Sequence, residues 1–286
     1  MNTKYETLNI TVLGDISCST TRTYLFYLKK NGFRVKKLIL INFEQSSDVS
    51  YKNKFLAKLR NLRSRIFIEI SDRQSDAFFH KTCGDLQEEA GLDVIDYASE
   101  WNYENYATQI EKFNAEDFED QKFRLKLIDE ADTVFLYTNG GIVPETVLNH
   151  RKIKILHVHP GIVPEFRGSD CLLWSLMSGS KIGVSCFYMS PGIDEGVVVG
   201  QAEFDKPRLP TVTKLVKSGK EDLAYRALLY AIDPHYRAIL FTRIMKKYSQ
   251  QCLKNLPSED QANIAIPPYL WMHPRLRTLA LKKLST

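Results

Sequence analysis

The strongest candidates for chemistry in this sequence are two histidines separated by one residue, His157 and His159. They end the stretch 153–159 (IKILHVH), whose aliphatic and β-branched residues are typical of a buried strand. Side chains alternate between the faces of a strand, so both imidazoles project from the same face. Imidazole exchanges protons near neutral pH, and the pair could therefore carry acid–base chemistry. Two structural histidines bonded to loop carbonyls are the alternative. A metal site is disfavoured because the other four histidines are scattered along the chain.

Two glycine-containing turns add polar groups to this candidate site. Asp194 lies in the segment 191–196 (PGIDEG), where the glycines permit an unusual backbone path. A carboxylate beside an imidazole orients the ring and favours its protonated form. The segment 139–141 (NGG) follows a predicted strand at 133–138 (TVFLYT), and its missing side chains would let a flat ligand approach the backbone. Taken singly, each turn is also explained as an ordinary change of chain direction.

A predicted strand–helix–strand unit opens the chain and positions these turns. The segment 9–16 (NITVLGDI) predicts a strand, Ser19 or Thr20 predicts the start of a helix, and 35–41 (VKKLILI) predicts a second strand. Such a unit is typical of a right-handed parallel crossover. The first turn lacks the glycine pattern of dinucleotide-binding proteins. In open sheets of this kind, ligands bind at the carboxyl ends of the strands, where both histidines are expected.

The predicted fold class is α/β, with a Rossmann-like, open, twisted and mostly parallel sheet flanked by helices and a mainly helical C-terminal extension. Further helices are predicted at 52–65, 80–91, 115–130, 169–177 and 220–250, with a break near Pro234, and a short basic helix near the end of the chain. Further strands are predicted at 94–97, 183–189 and 197–204. We place a boundary between a catalytic domain, 1–208, and the extension, 209–286.

The composition of the 286 residues is typical of a soluble globular protein, with 44% hydrophobic and 26% charged residues. No apolar run approaches the roughly 18 residues of a membrane span. The polar segment 1–8 lacks the apolar core of a signal peptide, and the five cysteines are scattered, so a reducing, cytoplasmic location is expected. The region after Thr211 is basic, which favours a solvated helical surface over a nucleic-acid interface.

The candidate residues together resemble a known family. The segment 155–168 (ILHVHPGIVPEFRG), followed by 192–196 (GIDEG), resembles the N10-formyltetrahydrofolate-dependent formyltransferases. This family includes glycinamide ribonucleotide, methionyl-tRNA and sugar-nucleotide N-formyltransferases. The segment 138–144 (TNGGIVP) resembles the stretch that borders the folate pterin. The positions that match the family motif are His159, Pro164, Arg167, Gly168 and Asp194.

The resemblance implies a set of functions for these positions. The formyl donor is expected to be N10-formyltetrahydrofolate, and the expected catalytic residues are His157, His159 and Asp194. The expected folate-binding residues are Asn139, Gly140, Gly141, Ile142, Val143, Gly192 and Ile193. The expected acceptor-binding residues are Gly161, Pro164, Arg167 and Gly168.

One departure from the family concerns His157, which stands where the family has asparagine. The resemblance implies that this side chain holds the formyl oxygen, and a histidine N–H could donate a similar hydrogen bond. Asp194 is expected to orient His159, which could pass a proton to the departing folate nitrogen. On this reading, His157→Asn retains or raises activity.

The acceptor is the least constrained part of the prediction. The resemblance implies a β-rich C-terminal domain in members that act on methionyl-tRNA, so a helical C-terminal region argues against transfer RNA as the acceptor. We favour the amine of an amino-sugar nucleotide. Two alternatives stay open: a formyltetrahydrofolate hydrolase, and a catalytically weak relative that binds folate or a nucleotide. A homodimer is also left open.

Overall fold

A seven-stranded sheet forms the centre of the molecule. The computed structural model describes residues 5–15, 18–43, 73–179, 181–262 and 266–284, so the helix predicted at 52–65 lies outside the described residues. The strands are β1 (Glu6–Gly14), β2 (Phe33–Phe43), β3 (Ala107–Ala115), β4 (Val134–Tyr137), β5 (Ile155–His159), β6 (Ile182–Tyr188) and β7 (Val198–Phe204). Their order is β3-β2-β1-β4-β5-β6-β7, and β6 alone runs antiparallel to its neighbours. The predicted open, mostly parallel sheet is confirmed.

Helices cover both faces of this sheet. They are α1 (Ser19–Lys30), α2 (Arg73–Glu89), α3 (Gln121–Asp129), α4 (Glu145–Leu148), α5 (Cys171–Met177), α6 (Pro210–Lys217), α7 (Glu221–Ala231), α8 (Asp233–Tyr248) and α9 (Pro274–Lys282). The larger apolar core joins α1, α7 and α8 to one face of the sheet. The smaller core joins α3 and α4 to the opposite face. Burial of apolar surface on both faces explains why the central strands are almost wholly apolar.

The helices that follow residue 208 are integral to this core. The predicted helical region and its break are confirmed, because α7 ends at Ala231 and α8 begins with Asp233 and Pro234. Proline suits the first turn of a helix, where its missing N–H has no partner in any case. Helix α8 packs against α1 and against β5, β6 and β7. The domain boundary at residue 208 stays a prediction.

The structure differs from the sequence-based prediction at three places in the middle of the chain. The segment 94–97 is not a strand, because the N–H of Ile95 donates to the side chain of Gln87 rather than to a neighbouring strand. Strand β3 was not predicted, because it is an edge strand whose many exposed polar residues hide the apolar pattern. The helix predicted from residue 115 begins later, at the N-cap residue Asp120.

The strand order places a topological switch beside the predicted site. After β3 the chain crosses back and adds β4 on the other side of β1. The connecting loops that leave β1 and β4 therefore run in opposite directions along the sheet. Such a point opens a crevice at the carboxyl ends of the strands. The two loops are tied together there, because the N–H of Asp15 donates to the side chain of Asn139. Strand β5, with both histidines, lies next to β4.

Candidate active site

The two histidines lie at the carboxyl end of β5, on the face that sequence alternation predicts. Preceding residues of that face, Ile153 and Ile155, belong to the smaller core, whereas Leu156 belongs to the larger one. The side chain of His159 is only 4% exposed, and that of His157 is half-buried. Strand alternation therefore delivers both imidazoles to one side of the sheet edge.

Asp194 meets His159, although 35 positions separate them in sequence. The Asp194 Oδ2 atom lies 3.4 Å from Nδ1 of His159 and accepts a hydrogen bond from the N–H of Gly168 at 2.8 Å. Nε2 of His159 lies 3.0 Å from the carbonyl oxygen of Phe166, to which it donates. Burial lowers the pKa of His159 below its usual value, and the charge of Asp194 opposes that shift. The imidazole is thus bonded at Nε2 and faces a carboxyl group at Nδ1, and that carboxyl group joins the loops on either side of the ring.

The loop that carries Asp194 has a backbone path fixed by its neighbours. Asp194 itself has a φ of 55°, in the left-handed region that costs an L-residue energy. The side chain of Gln261 donates to the carbonyl groups of Asp194 and Gly196, at 2.7 and 2.8 Å. Any side chain at Gly196 would collide with the carbonyl oxygen of Tyr188. These contacts hold the carboxyl group of Asp194 towards His159.

His157 has a different set of contacts from its neighbour. Its Nδ1 lies 2.9 Å from the carbonyl oxygen of Tyr137, the residue that pairs with it on β4. Its ring packs at 6.0 Å from the rings of Tyr137 and Phe187. Burial, and after it the positive charge of Arg237, lower the pKa of His157 to about 4. At neutral pH the ring is therefore uncharged.

A buried ion pair that sequence analysis did not identify lies close to this site. Nη1 of Arg237 lies 3.1 Å from Oδ2 of Asp233, and both side chains are less than a tenth exposed. Nη2 of Arg237 also approaches the carbonyl oxygen of Thr138, directly after β4, at 3.5 Å. An acidic and a basic residue four positions apart, a spacing that allows an ion pair on one helix face, were the available signal. Because the sequence pattern places this helix in a C-terminal extension, it does not connect the ion pair with the site.

The loop expected to bind folate has open space beside its backbone. A Cβ added at Gly140 would meet no atom within 4 Å, and one at Gly141 would meet only the Tyr137 hydroxyl, at 3.8 Å. The side chain of Ile142 is 82% exposed, whereas Val143 is buried in the smaller core. An open backbone beside an exposed apolar side chain fits a flat ring system.

The second loop expected to contact folate contains Gly192 and Ile193 and has less open space beside its backbone than the first. The side chain of Ile193 is exposed. Gly192 has a φ of 102°, in the left-handed region that favours glycine, so this glycine has a local structural cause.

The predicted acceptor-binding residues lie in the loop 160–168 that follows His159. A side chain at Gly161 would collide with the backbone of Phe166, and Pro164 follows a cis peptide bond. Arg167 is already paired, because it donates to the carboxyl group of Glu195 at 2.6 Å and to the carbonyl group of Ile266 at 3.0 Å. Gly161 and Arg167 therefore shape this loop through protein contacts of their own.

A segment near the end of the chain contacts this loop. Tyr269 forms a bridge with Gly168, and its ring stacks on those of Phe166 and Trp174. Beside it, the side chain of Trp271 is 64% exposed. The C-terminal region thus supplies an aromatic wall next to the loop that holds Asp194.

Comparison with known proteins gives the family. A family model described as formyl transferase matches residues 81–231, which is more than half of the chain. This chain belongs to the formyl transferase family. The match includes both histidines, Asp194, and all seven positions expected to bind folate, and it runs past residue 208 to the end of α7.

Individual relatives of this formyl transferase family member are distant. A methionyl-tRNA formyltransferase of Syntrophus aciditrophicus is 34% identical over 77 residues, which are 27% of this chain and 25% of that protein. The chain thus matches about a quarter of the length of this curated relative.

The similar solved structures have low TM-scores and low sequence identity to this chain. Glycinamide ribonucleotide transformylase 1 from Symbiobacterium toebii is 16% identical, with a TM-score of 0.43 over 85% of this chain and 88% of that chain. The formyltransferase PseJ from Anoxybacillus kamchatkensis, solved with UDP-4,6-dideoxy-4-formamido-L-AltNAc and tetrahydrofolate, is 19% identical. Its TM-score is 0.35, over 54% of this chain and 71% of that chain. The family assignment therefore rests on the sequence match.

Two observations concern other classes of site. No group of three or more metal-binding side chains occurs among the residues that the structure describes. Over the same residues, no helix has both the length and the apolar character needed to cross a bilayer.

Proposed function

We propose that this protein transfers a formyl group from N10-formyltetrahydrofolate to the amine of a small acceptor, with an amino-sugar nucleotide as the favoured acceptor. The observation that carries the proposal is the contact between Asp194 and His159 beside the topological switch of the sheet. Membership of the formyl transferase family supports the reaction class.

The residues at the two sides of His159 divide between the two substrates. The loop 139–143, with its open backbone and exposed Ile142, would hold the folate ring system. Bound there, the folate supplies an activated formyl carbon. Asp194 then fixes the ring of His159 from the other side, and preorganised polar groups of this kind act on charge that develops during the reaction.

The acceptor side favours a ligand with a flat ring. The exposed Trp271 stands beside the stacked rings of Tyr269 and Trp174, and Arg167 is held by Glu195 rather than free to bind phosphate. Aromatic surface of this kind stacks on nucleobases. A nucleotide-linked amine, whose base would stack on this aromatic surface, therefore suits the site.

Formyl transfer is tested by incubating the protein with N10-formyltetrahydrofolate and a panel of acceptors. The panel contains amino-sugar nucleotides, glycinamide ribonucleotide, charged methionyl-tRNA and buffer alone, and mass spectrometry detects the formamide product. Formylation of an amino-sugar nucleotide is expected. Release of formate in buffer alone would identify a hydrolase, and product only with methionyl-tRNA would overturn the proposed acceptor.

The matched variants are Asp194→Asn and Asp222→Asn. Asparagine at position 194 keeps an oxygen that accepts from Gly168 but removes the charge next to His159, so turnover should fall by at least about 100-fold. Asp222 is 90% exposed and serves as the control, with activity unchanged. Equal rates in the two variants would refute the role of Asp194.

A further inference from the structure

The hydrogen bond of His157 fixes which of its nitrogens carries the proton. Nδ1 lies 2.9 Å from the carbonyl oxygen of Tyr137, and a carbonyl oxygen can only accept. Nδ1 must therefore be the donor. A neutral imidazole carries one N–H, so Nε2 of His157 presents a lone pair.

The surrounding charges keep this ring neutral. Arg237 from α8 disfavours the charged form, as does the neighbouring imidazole of His159, and the carboxyl group of Asp194 only partly opposes them. Burial acts in the same direction as Arg237 and lowers the pKa of His157 to about 4. A neutral ring with Nδ1 engaged cannot donate a hydrogen bond from Nε2 to an oxyanion.

Of the two imidazoles, His157 is the one whose second ring nitrogen, Nε2, is available to a ligand. In His159, Nε2 donates to the carbonyl of Phe166 and Nδ1 faces Asp194, and the side chain is almost wholly buried. In His157 the side chain is half-buried, and no residue within the described ranges bonds to Nε2. Both rings stand on one face of β5, so a ligand beside His159 also lies beside His157.

We propose that His157 is the proton acceptor for the attacking amine in formyl transfer, acting through Nε2. This inference rests on the proposed function. The amine nitrogen bonds to the formyl carbon, and its proton passes to Nε2 of His157. The bond between the formyl carbon and the donor nitrogen then breaks and its electron pair stays on that nitrogen, which takes up the proton that His157 accepted and so returns His157 to its neutral form. The amine has lost one proton and the donor nitrogen has gained one, so the transfer balances.

A weak base suffices for this step. The amine nitrogen becomes positively charged as it bonds to carbon, which makes its proton far more acidic than in the free amine, and a neutral imidazole next to it can accept that proton. The asparagine that the family carries at this position cannot act in this way, because its amide nitrogen only donates and its oxygen is not basic. The histidine thus changes the chemistry available at position 157.

The decisive variant is His157→Asn. If His157 held the formyl oxygen as a donor, asparagine would replace it with near parental rates. If His157 accepts the proton, kcat should fall about 10²–10⁴-fold. In His157→Ala, added imidazole should restore part of the rate, and thermal unfolding checks that both variants remain folded.

A readout independent of turnover is the tautomer itself. Nitrogen-15 NMR of the protein at pH 7.5, with His157→Asn to assign the signal, should show a proton on Nδ1 and none on Nε2. A proton on Nε2, or parental kcat in His157→Asn, would overturn the inference while formyl transfer by the parent stands. Absence of formyl transfer by the parent to any acceptor would instead remove the proposed function, and this inference with it.

Discussion

His235, which lies outside the site, is expected to make the fold sensitive to acid in the same way as His157. The ring is fully buried, with Nδ1 3.0 Å from the hydroxyl of Tyr27. Its Nε2 lies 3.2 Å from the amide nitrogen of Gln87 and 3.3 Å from the hydroxyl of Tyr97. Burial lowers the pKa of His235 from 6.5 to about 4, and the charge of Asp93 opposes the shift only in part.

The sign and size of the effect follow from linkage. Below pH 6.5 the unfolded chain binds a proton at this histidine that the folded protein does not bind until the pH nears about 4. The free energy of unfolding therefore falls as the pH drops through this window. With about 1.4 kcal/mol for each pH unit of difference, the contribution at pH 5 is about 2 kcal/mol relative to neutral pH.

Urea unfolding at pH 7.5 and pH 5.0 measures this contribution. The parent should lose about 2 kcal/mol more than His235→Gln between the two pH values, whatever the absolute stability of the variant. The other buried histidines titrate in both proteins, so their contribution cancels. His273→Asn, which changes an exposed helix-capping histidine, should lose as much as the parent. Equal pH dependence in His235→Gln and the parent would refute the reasoning.

Two further predictions concern stability near the site. Arg237→Gln leaves the carboxyl group of Asp233 buried without a cation and should lower the free energy of unfolding in urea by about 3–5 kcal/mol. The double variant Asp233→Asn/Arg237→Gln should regain part of this stability. A loss below about 1 kcal/mol would show that the pair is solvated. Gly168→Ala places a methyl group against the backbone of Tyr269 at a φ of 97°, so the melting temperature should fall and the C-terminal segment should become more sensitive to protease; an unchanged melting temperature would contradict this.

Local patterns were sufficient to predict most of the sheet and the position of both histidines. The segments 9–16, 133–138 and 153–159 are apolar runs bounded by turn residues, and each became a central strand whose faces are both buried. The helix break before Pro234 was equally local. The segment 94–97 failed because four residues of mixed apolar character fit a strand but found no strand partner.

The contacts that define the candidate site could not be read from local patterns. The N–H of Gly168 donates to Asp194, 26 positions away, and Gly168 forms a β-bridge with Tyr269, 101 positions away. Asp170 occupies the N-cap position of α5, where an aspartate side chain commonly accepts from the first turn of the helix. Its side chain, however, bonds to Tyr225 and to the N–H of Met272 instead. Such partners depend on how distant segments pack, which periodicity and turn chemistry do not encode.

The pairing of two imidazoles on one strand face requires that at least one of them stay uncharged, because adjacent positive rings in a buried site repel. Arg237 meets that requirement through its position, since its charge disfavours protonation of both His157 and His159. Its own charge is balanced by Asp233 on the same helix. A histidine in place of the family asparagine is thus compatible with the fold because burial, together with a buried cation, keeps it neutral. Neutrality is what leaves its Nε2 able to accept a proton.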